Sequence, residues 1–166
     1  FLILLAFGCV DCSVGSERIL DVLHQLHHTA KVSSYSIESA FCTKLTKVKS
    51  GRLGYLAFES SHIGCGLPIV SVKLDYPIVH VGRDAFLSIM LDRKMCMSRA
   101  SLEKEFPGGK LTFSADVAIP QYLVQMGEDE VGAEYETLPG RYNCVSKIYL
   151  RIGSGHFGSD IAPRRR

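Results

Sequence analysis

Between Phe86 and Phe106 the chain reads FLSIMLDRKMCMSRASLEKEF. Phe86 to Leu91 is apolar on both faces of an extended chain, which predicts a central strand. Ser98 is placed to cap a helix, and Met97 before it can pack on Leu102 as a hydrophobic staple. Pro107 forbids continuation of that helix and biases Phe106 away from helical geometry. Gly108 and Gly109 complete the stop. The helix therefore runs about two turns, Arg99 to Glu105. Cys96 sits at the join, so its partner decides how this strand and helix are tied to the rest.

The elements around this stretch are segregated. Ser16 is the expected N-cap of a first helix, with Glu17 in the first turn where the dipole favours negative charge. Ile19, Leu20, Val22, Leu23 and Leu26 give it one apolar face. A short second helix is predicted from Ser36 to Phe41. Strands follow near Leu45, over Leu53–Phe58 and over Ile69–Asp75, with Val70, Val72 and Leu74 on one face. After the connecting helix comes a strand over Lys110–Ile119, ended by Pro120. Val131–Leu138 and Tyr142–Ile152 read as a hairpin turned at Pro139-Gly140. In its second arm Cys144, Ile148, Leu150 and Ile152 share a face. The expected class is α+β: an N-terminal helical segment, then a largely antiparallel sheet with one short connecting helix. At 166 residues the chain suits one domain, over 13–152, with a mobile basic tail over 153–166.

The formal net charge is +2, and three of the cations are Arg164, Arg165 and Arg166. The remainder is near neutral, so nucleic acid is not an expected partner. Phe1–Phe7 is too short to span a bilayer but matches the apolar part of a secretory signal. Ala6-Phe7-Gly8-Cys9 follows the pattern of a lipoprotein cleavage site, which would make Cys9 a lipid-modified residue and supply a membrane anchor. Residues 1–12 are accordingly expected to be a signal or lipoprotein-type segment, and the compartment to be periplasm or cell envelope.

Cysteine usage agrees with export. Cys42, Cys65, Cys96 and Cys144 are well spread and even in number, as in a disulfide framework. Placement favours Cys96–Cys144, closing a loop of about 49 residues worth roughly 4 kcal/mol, and Cys42–Cys65 across the first strands. The alternative is four free thiols in a cytoplasmic protein.

The strand ending in MCMSRASLEKEFPGG, the later acidic stretch and the closing YNCVSKIYL together resemble small exported proteins and lipoproteins of Gram-negative bacteria. Some of these look like immunity proteins that neutralise secreted toxins. The resemblance spans Ile69 to Ile152. It implies a non-enzymatic protein whose partner is another protein, and it brings no catalytic motif or cofactor with it.

Candidate chemistry is sparse. Asp21, His24 and His28 fall at i, i+3 and i+7 on the first helix, with His27 alongside, and could hold zinc or copper. The competing reading is a solvated helix face, since Leu20, Leu23 and Leu26 mark the buried side. His62 and Cys65 are a weak thiol-nucleophile pair, and Cys65 is better used in a bridge. Asp75, Asp92 and Glu59 lie near strand ends. Glu128, Asp129 and Glu130 make an acidic loop that can steer a basic partner, with Tyr122 and Tyr135 as aromatic anchors. The alternative for that loop is ordinary solvation.

Overall fold

The computed structural model describes residues 10–79, 84–113, 119–138, 141 and 143–156, with side chains from Val14 onward. Cys9 and the terminal arginines lie outside the described residues. Three helices, α1 (Val10–His28), α2 (Ser34–Ala40) and α3 (Arg99–Glu105), accompany nine strands. These are β1 (Thr46–Val48), β2 (Tyr55–Ser60), β3 (Ile69–Pro77), β4 (Ala85–Leu91), β5 (Met97–Ser98), β6 (Lys110–Phe113), β7 (Pro120–Met126), β8 (Asp129–Tyr135) and β9 (Cys144–Ile152). They form one sheet in the order β1-β2-β3-β4-β9-β8-β7-β6, with β5 also paired to β9. Every pairing is antiparallel. The protein is α+β, as its segregated elements predict.

The sheet consists of two four-strand meanders. β1 to β4 form one, β6 to β9 the other, and they meet where β4 pairs with β9. One face of the sheet carries the core. Val72, Leu74, Leu87, Ile89, Val131, Ala133, Ile148 and Leu150 are buried there with Ile19, Leu23 and Leu26 of α1, Ile37 of α2 and Leu102 of α3. No described helix is long and apolar enough to cross a membrane.

The capped helix forms as its sequence dictates. The Ser98 side chain accepts from the Ser101 N–H at the start of α3. Met97 and Leu102 are both fully buried, and Gly108 follows the helix at φ +85°. Elsewhere the structure departs from expectation. α1 begins before Ser16, which lies buried within the helix. Gly15 permits this, because a Cβ there would lie 2.9 Å from the ring of Pro68. α2 begins two residues earlier than predicted, because Ser33 and Ser36 form a reciprocal capping box. Val70 does not share a face with Val72. A register shift between Ile69 and Ser71 turns Ile69 inward and leaves Val70 51% exposed.

The largest departure is at the acidic stretch. Instead of a solvated loop, β7 and β8 form a tight hairpin with Met126 opposite Asp129. Gly127 adopts φ +64° in the turn. Described residues after Gly153 are also fixed: the His156 carbonyl accepts from the Val32 N–H at 2.9 Å.

Candidate functional site

The sheet face opposite the core has its charges paired within itself. Lys147 lies 3.5 Å from Glu134, Lys73 3.6 Å from Asp75, and Arg151 donates to Asp84 at 2.8 Å. Tyr149 lies across Gly132, where any Cβ would collide with its ring. Surface pairs of this kind contribute little singly, but they leave most of the face polar, with Asp75 Oδ1 meeting only the Lys73 charge and no hydrogen-bond donor.

One corner of that face is different. Val70 on β3, Met90 on β4 and Leu138 beyond β8 remain 51%, 43% and 49% exposed. With Ile119, Leu91 and Tyr135 they line a hollow of about 690 Å³, rimmed by Asp92 and Arg93, with the buried Glu136 in its floor. The bulge that expels Val70 from the core is what creates this apolar wall. The floor is rigid for two reasons. Glu136 is buried and accepts twice from Arg141, at 2.6 and 2.9 Å, and Arg141 also donates to the Met95 carbonyl at 3.0 Å. The Cys96–Cys144 bridge then ties the segment before α3 to β9, with Cα atoms 4.8 Å apart.

A second cluster gathers around Asp129, whose side chain is 3% exposed. Its Oδ2 meets His156 Nδ1 at 2.6 Å and His27 Nδ1 at 3.3 Å, and its Oδ1 accepts from the Gly153 N–H at 2.9 Å. The other His156 nitrogen, Nε2, faces the Thr29 carbonyl at 2.5 Å. Both ring nitrogens of His156 are thus occupied by acceptors. The arrangement bolts the end of α1, the β7–β8 turn and the chain beyond β9 together.

Several sequence-stated roles change in this light. Tyr122 and Tyr135 are 4% and 2% exposed, so they are core side chains and not surface anchors. The Tyr122 hydroxyl donates to the Phe106 carbonyl and accepts from the Gly109 N–H, fixing the turn after α3. Of the three acidic residues, only Glu128 is fully exposed. Asp129 is turned inward and Glu130 lies 3.9 Å from Arg151. The first-helix set does not assemble either. His24 stacks on Phe106 at 4.7 Å and lies 3.4 Å from Glu105, while Asp21 stays exposed and His28 is 6.2 Å from His24 between ring centroids. Among the described residues, no group of three or more His, Cys, Asp or Glu could hold a metal ion. His27, the neighbour left out of the proposed ligand set, is the one that joins a cluster. Its partners lie more than a hundred residues away, a pairing that no local spacing reveals. Glu59, Asp75 and Asp92 likewise do not form a carboxylate pair: Asp75 is engaged by Lys73 and Asp92 by the Lys94 N–H.

Both expected bridges are present, Cys42–Cys65 and Cys96–Cys144. They indicate an oxidising, extracytoplasmic setting. His62 lines a cleft beside Cys42, whose sulfur is engaged in the first bridge.

Two tyrosines record how firmly the sheet is packed. Burial, then nearby glutamates, pushes Tyr135 and Tyr149 up from 10.0 to about 12. In the unfolded chain both would ionise near 10. Their neutral forms therefore support the fold fully below pH 10, and that support is lost as pH rises toward 12. Phenolate absorbance followed with far-ultraviolet circular dichroism should show Tyr135 and Tyr149 ionising late, together with unfolding. Seven tyrosines ionising together near pH 10 with the fold intact would contradict this.

The chain is thus an antiparallel α+β protein, disulfide-stapled, with an exposed apolar hollow at one corner of a largely self-paired sheet face. Compared with protein-family models, curated proteins and solved structures, the chain matches none.

Proposed function

We propose that this is an exported, non-enzymatic protein that binds another protein, in the manner of an immunity or inhibitor protein of the periplasm or cell envelope. The observation that carries the reading is the hollow at Val70, Met90 and Leu138. Contiguous exposed apolar side chains, rimmed by charge and set on rigid strands, are what a protein-binding surface requires. The two bridges support the compartment, and the resemblance of Ile69–Ile152 to small exported proteins supports the partner class. The occupant is an apolar side chain of the partner, inserted between β3, β4 and the segment after β8.

The test uses the full chain as bait in a periplasmic extract, beside Met90→Glu and Val70→Lys. Both positions are already exposed, so circular dichroism should show both variants folded. Each buried apolar side chain in an interface is worth roughly 1.5–3 kcal/mol, so affinity for a stoichiometric partner should fall by about tenfold or more. Equal capture by all three baits would remove the hollow from the reading. Absence of any stoichiometric partner would overturn protein binding itself.

A further inference from the structure

The two disulfides are not alike, and the difference lies in the backbone that carries them. Among the described residues only two non-glycine positions have positive φ, Cys42 at +47° and Cys65 at +56°. Both are halves of the same bridge.

Cys42 stands where α2 ends. Its N–H donates to the Ser39 carbonyl at 3.2 Å, and the following Thr43 N–H donates to the Glu38 carbonyl at 2.9 Å. That pair of bonds is the Schellman helix stop, and its left-handed position is normally filled by glycine. A Cβ in that conformation crowds the following carbonyl. Here a cysteine occupies it. Cys65 repeats the strain on the opposite segment, immediately before Gly66 at φ +61°. The approach between them is tight: a Cβ on Gly64 would lie 2.6 Å from the Cys42 carbonyl oxygen.

Both cysteines are exposed. Cys42 lines an open cleft with Tyr35, Lys44 and His62, and Arg18 donates to the Cys65 carbonyl. In the other bridge Cys144 is buried in the extended backbone of β9. A strained, exposed disulfide is the labile kind, and an unstrained one with a buried half resists exchange.

We propose that Cys42–Cys65 is a thiol-exchange site, open to a dithiol reductant such as a Cys-x-x-Cys oxidoreductase, while Cys96–Cys144 is a permanent staple. A reductant thiolate attacks one sulfur of the pair, the S–S bond breaks, and the other cysteine leaves as a thiolate. The mixed disulfide is then attacked by the second reductant thiol. This releases oxidised reductant and leaves two cysteine thiols, a balanced two-electron exchange. Opening the bridge removes the covalent tie between the end of α2 and the loop between β2 and β3, leaving the Gly64 N–H donating to the Cys42 carbonyl at 3.1 Å. Thr43 still holds that loop, donating to Ser60 Oγ at 2.6 Å and lying 2.7 Å from the His62 carbonyl. The change is therefore confined to the cleft.

The experiment treats the native full chain with limiting dithiothreitol, quenches by alkylation at intervals and maps the labelled cysteines by mass spectrometry. Label should reach Cys42 and Cys65 at least about tenfold faster than Cys96 and Cys144. In guanidinium, where no backbone strain persists, the two bridges should be reduced at similar rates. Equal rates in the native protein, or Cys96–Cys144 opening first, would overturn the proposal. So would a preference that persists undiminished in guanidinium, since it would then belong to local sequence and not to the fold.

Discussion

Asp129→Ala should destabilise the protein by about 3–5 kcal/mol, the range for removing one member of a buried charged cluster. The carboxylate is 3% exposed and serves three donors on two segments, the end of α1 and the chain beyond β9. Its loss leaves the Gly153 N–H buried without its acceptor and His156 held only at its Thr29 end. Urea unfolding measures the loss directly, with an unchanged slope if the unfolded state is unaffected. Asp129→Asn keeps the shape and should recover part of the loss. A loss below about 1 kcal/mol would show the cluster behaving like an exposed pair. By contrast Glu128→Ala, one residue away and exposed, should be close to neutral.

The paired replacement Cys96→Ser with Cys144→Ser should cost about 4 kcal/mol, and Cys42→Ser with Cys65→Ser less, about 3 kcal/mol before any relief of backbone strain. The sequence separations are 48 and 23, so loop-closure entropy alone ranks them in this order. Serine keeps the Cβ, so removing the left-handed penalty of about 1–2 kcal/mol at each position takes Cys42→Gly with Cys65→Gly, which should cost less still. For a chain of this size the first pair should lower Tm by roughly 8–16 °C. Calorimetry on the double variants checks the ranking. Equal shifts for the two serine pairs would refute the contribution of chain entropy, and a glycine pair no more stable than the serine pair would refute that of strain.

Much of the architecture is legible in local chemistry. Ser98, Met97 and Pro107 bound α3 correctly because caps, staples and proline stops act within a few residues. Alternation in Ile148, Leu150 and Ile152 marks β9 because a one-sided core imposes period two. Placing the four cysteines on their elements was enough to pair them. What local pattern misses is set by contacts distant in sequence. Three consecutive acidic residues suggest solvent, yet Asp129 is drawn inward by histidines from opposite ends of the chain. Alternating Tyr122, Val124 and Met126 was the available signal for β7, overridden by that charge. Val70 reads as core until a bulge shifts it outward, and that bulge follows from register with β4, not from β3 itself. The apolar hollow depends on this shift, so the surface on which the proposed binding rests was the part least visible in sequence.

The joint between β4 and β9 governs the order in which the chain can mature. Each meander is made of sequential hairpins and can begin to form as its residues emerge. The closing contact cannot, because β9 comes after every other described strand. Until it arrives, β4 presents Leu87 and Ile89 along an unpaired edge, an invitation to wrong partners during synthesis and transport. Cys144 lies on that same strand, so the bridge to Cys96 cannot form until β9 has been made. A nascent chain stopped before β9 should therefore hold its first half as an aggregation-prone intermediate.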